Sequence, residues 1–456
     1  MATQLKGLSA LIEAKRAKVG IFGAGYVGLP LACAFAEAGF QTFACDNDNG
    51  KVLAIRRGRS YIEDSFVKRS LRGLAKSRML RADTDVVRVA RAVDFSLISV
   101  PTPLSAIGDP DLSYVTRVTE GIAHSDQRGK FVILESSVYP GTTEEIVKPI
   151  LERNGLKAGL DFGLAFSPER VEFGQTERSI KDIPKIVGGV TPLCTEIASQ
   201  LYAKVIRARI VKVPDTRYGE AAKMLENTYR YVNIALVNEL AVLHEKLGLD
   251  FFKVIAAAST KPFGFQAFYP GPGVGGHCIP KDPRYLSYKA RQVGMRLRLV
   301  DISQEINNGM VNHIIERLES FLETRGANIR GSRVSILGLA FKPNVSDTRN
   351  SPAVMLAARF LELGAQISVF DPLVRKVSIV SGQLASKGDF ESAVKNAKIL
   401  ILATAHTHFR EIDLRDLHSL MGKDPLIFDT RGFWTPSECR AAGFHYLGLG
   451  RPYQWN

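Results

Sequence analysis

Cys278 lies in the glycine-dense segment GPGVGGHCIPKDP, shortly before a Lys281–Asp282 pair. Glycines let backbone and a ligand approach closely. Cationic neighbours, here His277 and Lys281, lower a thiol toward its nucleophilic thiolate. The other four cysteines, Cys33, Cys45, Cys194 and Cys439, sit in strand-like or helix-like texture and read as core fillers. On its own, Cys278 reads equally as a nucleophile or as an ordinary loop residue.

A second motif changes that balance. KVGIFGAGYVGLPLACAFAEAGFQTFACD carries Gly23, Gly25 and Gly28 in G-x-G-x-x-G spacing, with an apolar strand ending at the first glycine and an Ala-rich helix starting inside the motif. Gly23 permits the tight turn, Gly25 lets backbone approach a pyrophosphate, and Gly28 allows close helix–strand packing. The helix N-terminus presents free N–H groups to phosphates. Asp46 ends the second strand, 18 residues beyond Gly28. A carboxylate there accepts from ribose hydroxyls and repels a 2′-phosphate, favouring NAD over NADP, although Arg56 and Arg57 lie nearby. A thiol together with NAD+ permits a four-electron oxidation of an alcohol. Hydride loss gives an aldehyde, the thiolate adds to form a thiohemiacetal, a second hydride loss leaves a thioester, and water releases the acid.

Further polar residues sit where such chemistry needs help. Lys223 and Asn227 are four apart on a helical stretch and share a face. Lysine can stabilise a developing alkoxide, and asparagine can orient an oxygen. A polar stripe on an exposed face is the competing reading. Glu169, in SPERVEFG after the apolar run GLAF, could act on water or merely cap a turn. SVPTPL and ESSVYPGTT also follow apolar runs, making Thr102, Glu135 and Ser137 candidates for the cofactor side.

These residues need positioning elements. VGIFG, TFACD, FSLISV, FVILES and GLAFS are continuous apolar runs, as parallel strands buried on both faces require. Thr216 to Gly248 has no internal proline and reads as one helix of roughly 30 residues, about 45 Å long, of the kind that spans domains or packs on a second subunit. More helix is expected through Glu323, then a second strand block, RVSILGLAF, QISVFDP, KILILATAH and LIFDTRG. The expected plan is α/β: two Rossmann-like doubly wound domains, at residues 1–212 and 324–456, joined by a helical core with one long helix at 213–323.

Composition narrows the field. The 456 residues are 45% hydrophobic and 23% charged, with a net charge of +14. Five scattered cysteines without a CxxC pair make a poor disulfide framework and a poor zinc site, so no metal and a reducing cytoplasm are expected. MATQLKGLSALIEAKRAK lacks the apolar core of a signal peptide and reads as a short surface helix. No membrane-spanning run is present. The Lys- and Arg-rich region from Lys68 to Arg91 lacks interleaved aromatics and matches no nucleic-acid reader motif. The positive field would instead attract small polyanions.

From Lys18 to at least Gly432 the chain resembles the UDP-glucose/GDP-mannose dehydrogenase family. The resemblance rests on GAGYVGLPLA, PTPL, SSVYPGTT, SPER, KMLENTYRYVNIALVNEL, GVGGHCIPKDP and LGLAFKPNVSDTRNSP. It implies a three-domain enzyme, dimeric through its long helix, that oxidises C6 of a nucleotide sugar with two NAD+. By position it makes Cys278 the nucleophile, Lys223 and Asn227 the oxyanion-stabilising pair, Asp282 the carboxylate beside the cysteine and Glu169 the acid of thioester hydrolysis. Gly23, Gly25, Tyr26, Val27, Gly28, Asp46, Pro101, Thr102, Glu135 and Ser137 fall on the cofactor side. Glu169, Arg170, Lys223, Asn227, Gly273 and Gly276 fall on the sugar side, and Lys342 and Arg431 where UDP is held. Two departures stand out: Ser137 replaces a frequent threonine while keeping a hydroxyl, and SPER runs into VEFG. SYIED, LENTYRYVNIALVNE and KPFGFQAFYPGPGVGGHCIP resemble the UDP-N-acetylglucosamine and UDP-N-acetylgalactosamine 6-dehydrogenase branch more than the UDP-glucose branch. The competing expectations are a UDP-glucose 6-dehydrogenase, a two-electron β-hydroxyacid dehydrogenase and a non-catalytic dinucleotide-binding regulator.

Overall fold

The computed structural model describes residues 3–171 and 179–453. It divides into two compact units, Met1–Asn227 with Arg284–Arg296, and Thr228–Pro283 with Leu297–Asn456.

The first unit is built on eight strands: β1 (Lys18–Phe22), β2 (Gln41–Cys45), β3 (Leu80–Asp83), β4 (Phe95–Ile98), β5 (Phe131–Leu134), β6 (Gly163–Phe166), β7 (Lys185–Gly189) and β8 (Ile210–Lys212). Their order is β3-β2-β1-β4-β5-β6-β7-β8. The strand order reverses between β1 and β4, which is where doubly wound sheets open a ligand crevice. Alternate residues of each strand enter cores on opposite faces: Val19 and Ile21 on one side, Phe22, Ile98 and Leu134 on the other. That two-sided burial is why the strands read as unbroken apolar runs. Two strands depart from the expected parallel sheet, β7 and β8, which run parallel to each other and opposite to the rest. β6 runs parallel to β5 but antiparallel to β7. Both directions bury both faces, so the apolar run carries no sign of the reversal. The N-terminal helix, Thr3–Glu13, is amphipathic and buries Leu5, Leu8 and Ile12 in the first core.

The long helix spans Thr216–Leu247, 32 residues. It buries polar as well as apolar residues, and exposes several large apolar ones. Thr216, Glu220, Lys223, Asn227 and Asn238 are buried, while Tyr218, Leu225, Tyr229, Leu236, Leu243 and Leu247 are exposed. The exposed apolar positions recur at intervals of seven and four, so they form one stripe.

The second unit contains β9 (Arg333–Leu337), β10 (Gln366–Phe370), a hairpin of β11 (Lys376–Ile379) and β12 (Gly382–Ala385), then β13 (Ile399–Leu402), β14 (Leu426–Asp429) and β15 (His445–Gly448). Its five-stranded sheet has order β10-β9-β13-β14-β15 and is parallel throughout. The antiparallel hairpin was not foreseen from the sequence. This sheet repeats the turn of the first. Gly23 after β1 and Gly338 after β9 both adopt positive φ, +102° and +84°. An aspartate after the next strand takes the following backbone N–H in each case, Ala24 to Asp46 and Leu339 to Asp371. Asp371 is the more heavily engaged of the two. It also accepts from the N–H groups of Ala340, Leu373 and Val374 and from His406 Nε2.

Candidate active site

The glycine turn is sterically forced. A Cβ on Gly23 would lie 2.2 Å from the Ser99 carbonyl oxygen, and one on Gly28 would lie 1.8 Å from the Gly23 oxygen. At Gly25 a Cβ would meet nothing within 4 Å, so this backbone faces open space. The helix Gly28–Glu37 starts on the motif's last glycine, Tyr26 is exposed and Val27 half-buried. Asp46 lies at the mouth of the turn. One of its oxygens accepts from Ala24 N (2.9 Å), the other from Asp48 N (3.0 Å), and Lys51 Nζ stands at 3.2 Å. Open backbone at the second glycine, a helix N-terminus and this carboxylate together fit a dinucleotide. Arg56, noted in the sequence as standing near Asp46, donates its Nε to the Ala82 carbonyl.

Neighbouring strand ends add a polar rim. Thr102 is buried and donates its hydroxyl to the Ser137 carbonyl at 2.8 Å, tying the loops after β4 and β5 together. Pro101 is exposed and Ser137 half-buried. Glu135 is a correction. Its side chain is wholly enclosed, engaged by the Tyr202 hydroxyl and by Lys185 Nζ at 3.3 Å, so it supports this rim from beneath and does not line it. Burial raises its carboxyl above the ordinary range, the nearby Glu169 charge adds to this, and Lys185 opposes it. Glu169 is 8% exposed. One of its oxygens accepts the N–H groups of Arg170 and Val171, both at 2.7 Å. Arg170 pairs with Glu226 on the long helix at 2.6 Å and donates to the Pro184 carbonyl, bracing the SPER loop. Of VEFG, the residues after Val171 fall outside the described residues.

On the long helix, Lys223 and Asn227 are each 8% exposed, which removes the solvated-stripe reading. One turn earlier, Glu220 accepts from Gly141 N, Thr143 N and the Thr143 hydroxyl. It thereby anchors the loop that begins at Ser137. Burial pushes the Glu220 carboxyl up to about 7. Sequence reading missed this residue, although it shares the Lys223 face by helical spacing.

In the second unit the cysteine loop is held by its glycines. Gly273 and Gly276 have φ of +129° and +89°. A Cβ on Gly275 or Gly276 would press on Phe341, and one on Gly271 would lie 2.4 Å from the Arg431 guanidinium. Gly276 donates to the Arg349 carbonyl and accepts from Asn350, and Gly271 donates to Asn238. The loop thus lies along the segment that carries Lys342 and against Arg431, whose Nε donates to the Ala403 carbonyl at 2.9 Å. Burial brings the Arg431 guanidinium down to about 10, still cationic at neutral pH. Lys342 is half-buried beside Phe341.

The cysteines separate cleanly. Cys33, Cys45, Cys194 and Cys439 are buried, and Cys278 is half-buried. Burial pushes the thiols of Cys33, Cys45 and Cys439 up to about 12. The Cys278 carbonyl accepts from the N–H groups of Lys281 and Asp282, where the helix Asp282–Gln292 begins. Lys281 and Asp282 form a buried ion pair at 3.0 Å. His277 Nδ1 lies 3.7 Å from the Cys278 sulfur. Burial, with Lys281 and Arg349, lowers His277 to about 4. It is therefore neutral at pH 7 and is not the cationic neighbour that sequence suggested.

Within the first unit, then, the glycine turn, Asp46, Thr102, Ser137, Glu169, Lys223 and Asn227 are placed on strand ends and on the long helix. Within the second, Gly273, Gly276 and Cys278 share a loop packed beside Lys342 and Arg431. Lys185, Tyr202, Glu220 and Asn238 are supporting residues that belong to no recognisable motif.

A dinucleotide turn, a second nucleotide-type sheet and a glycine-framed thiol define a nucleotide-dependent oxidoreductase. Three family models cover nearly the whole chain: the NAD binding domain (residues 17–206), central domain (217–309) and UDP binding domain (335–436) of the UDP-glucose/GDP-mannose dehydrogenase family. The chain belongs to that family and is an NAD-dependent nucleotide-sugar dehydrogenase. It is 34% identical over 424 residues to the UDP-N-acetyl-D-glucosamine 6-dehydrogenase of Pseudomonas aeruginosa, covering 91% of this chain and 97% of the relative. Among solved structures it is similar to the UDP-D-ManNAc dehydrogenase of Pyrococcus horikoshii, with TM-score 0.88, 32% identity and coverage of 96% and 100%. It is also similar to a UDP-glucose dehydrogenase from Pyrobaculum islandicum, with TM-score 0.83, 26% identity and coverage of 95% and 98%. Among the described residues, no helix is long and apolar enough to cross a membrane.

Proposed function

We propose that this dehydrogenase oxidises the C6 hydroxymethyl of a UDP-N-acetylhexosamine, UDP-N-acetylglucosamine or UDP-N-acetylgalactosamine, to the uronic acid in four electrons. The observation that carries this reading is Cys278, the one cysteine that is not buried, on a loop only glycine can form. A nucleophile is what separates a four-electron dehydrogenase from a two-electron one.

The roles follow from the side chains. NAD+, when bound, supplies the hydride acceptor for both oxidations. The Gly23–Gly28 turn and Asp46 hold its pyrophosphate and ribose, and Tyr26, Val27, Pro101, Thr102 and Ser137 flank it. The Lys223 ammonium stabilises the alkoxide as the C6 hydroxyl loses its proton, and Asn227 orients that oxygen. Cys278 adds to the aldehyde and retains the carbon as a thioester after the second oxidation. Ser137 holds water for hydrolysis, Glu169 takes its proton, and Asp282 keeps Lys281 and the loop in place. Arg170 fixes the SPER loop, while Gly273, Gly276, Lys342 and Arg431 receive the sugar and UDP. Residues 1–212, 213–323 and 324–456 would then serve cofactor, chemistry and UDP. Scattered cysteines and the cofactor suit a reducing cytoplasm.

The exposed stripe of the long helix supports a homodimer, since a second copy would present the same self-complementary heptad-like face. One assay tests the substrate. The protein is incubated with UDP-glucose, UDP-N-acetylglucosamine, UDP-N-acetylgalactosamine, UDP-N-acetylmannosamine and GDP-mannose, and NADH is counted per sugar. Two NADH from an N-acetylglucosamine or N-acetylgalactosamine substrate is expected. Two from UDP-glucose alone moves the assignment to that sugar, and a single NADH removes Cys278 from the chemistry.

A further inference from the structure

Beneath Glu169 lies a closed charge cluster that the mechanism above does not use. Lys185, at the start of β7, is 4% exposed. Its Nζ stands 3.3 Å from Glu135 and 3.5 Å from Glu169. The Tyr202 ring covers it at 5.1 Å, and the Tyr202 hydroxyl donates to Glu135. The second oxygen of Glu135 is buried and makes no hydrogen bond. A buried lysine surrounded by apolar groups would lose its proton. Here burial works in that direction, but Glu135 and Glu169 outweigh it and hold Lys185 above the ordinary lysine range.

The stoichiometry is unusual for a purely structural pair. Two enclosed carboxylates face one ammonium, so one negative charge, or one proton, is in excess. Such surplus is costly to keep in a core for stability alone. The two acids also differ. Glu135 is sealed, whereas Glu169 is at the surface of the cluster with one oxygen fixed by two backbone N–H groups. Hence only Glu169 can meet a water molecule.

We propose that Lys185 and Glu135 are positioning residues that set the basicity of Glu169 for thioester hydrolysis. The inference rests on the assignment of Glu169 made above. As water's oxygen bonds to the thioester carbon, one water proton passes to Glu169. The carbon–sulfur bond then breaks, its electron pair leaves on sulfur, Glu169 gives up the proton to solvent, and the thiolate takes one from solvent. Lys185 balances the charge that Glu169 loses and regains. Glu135 shares the same ammonium with Glu169. The groups facing Glu169 from the surrounding elements are therefore Lys185 of β7, Glu135 after β5 and, behind it, Tyr202 of the helix Pro192–Ala203.

The test follows decay of the acyl adduct on Cys278 by quenched single-turnover mass spectrometry across pH, in the full-length protein with NAD+. Lys185→Met removes the positive charge. It should slow decay roughly tenfold or more and move the acid limb up by about one pH unit. Lys185→Arg should restore most of the rate. Glu135→Gln keeps shape and removes the competing acid, so the acid limb should move down. Opposite movements are not produced by a fold defect, which lowers rates without moving the limb. If neither variant moves the limb, the proposal is overturned, even when Glu169→Gln accumulates adduct. If Glu169→Gln decays at the unaltered rate, the assignment of Glu169 itself fails.

Discussion

Single residues decide the chemistry, and their surroundings make the assignments testable. Cys278→Ser retains shape but offers a weaker nucleophile and no thioester. Acid formation should fall by at least about a hundredfold, read as uronic acid by mass spectrometry, and acid at the unmodified rate refutes the role. Asp46 has acceptor capacity left after its contacts with Ala24, Asp48 and Lys51. Asp46→Ala should raise KM for NAD+ about tenfold or more and narrow the preference over NADP+, and unchanged kinetics with both would exclude it. His277 carries a linkage signature. Its folded-state pKa, about 4, is below the ordinary value of 6.5. The unfolded chain thus binds the extra proton first, and stability is lost as pH falls through 6.5 toward 4. Denaturation curves over that window should be flatter for His277→Gln, by an amount on the order of 2 kcal/mol at the acid end. Parallel curves would contradict a neutral, enclosed imidazole.

At the scale of elements, the long helix is the most informative. Beside its buried apolar residues it carries a buried polar line and an exposed apolar stripe, which a helix that only covers a monomer's core would not need. Leu225→Asp with Leu236→Asp should shift the species in analytical ultracentrifugation from dimer to monomer. A dimer that survives both charges would place the contact elsewhere. The same helix shows why sequence revealed so much of the frame. Its length and the Lys223–Asn227 spacing follow from local periodicity, as do the Gly23–Gly28 turn and the strand runs of the second sheet. The reversal that begins at β7 and continues in β8 escaped because a doubly buried strand such as β7 looks alike in either direction. Lys185 and Tyr202 escaped because their partners are far away in the chain, and a lone lysine beginning a strand has no pattern. Glu135 was placed on the wrong side of its loop for a related reason: a carboxylate at a strand end reads the same whether it points outward or down.

Over the whole molecule, the net charge of +14 faces a doubly charged diphosphate substrate and an anionic cofactor. Long-range attraction of this kind is screened within about 8 Å at physiological ionic strength. Raising salt from about 0.05 M to about 0.5 M should therefore lower kcat/KM chiefly through KM. A fall confined to kcat would argue against steering. The two sheets also show how one turn design can be used differently. In the first, a glycine turn leaves Asp46 able to take another donor. In the second, the Asp371 oxygens already take four backbone N–H groups and the His406 imidazole.

A carboxylate offers about four lone-pair positions, and Asp371 has five suitors. No sugar diol can win a place there without dismantling the turn that holds it. Asp46, by contrast, keeps capacity for a further donor. The same glycine-turn design therefore ends in an open acceptor in one sheet and a filled one in the other, so a ligand hydroxyl meets competition at Asp371 that it does not meet at Asp46.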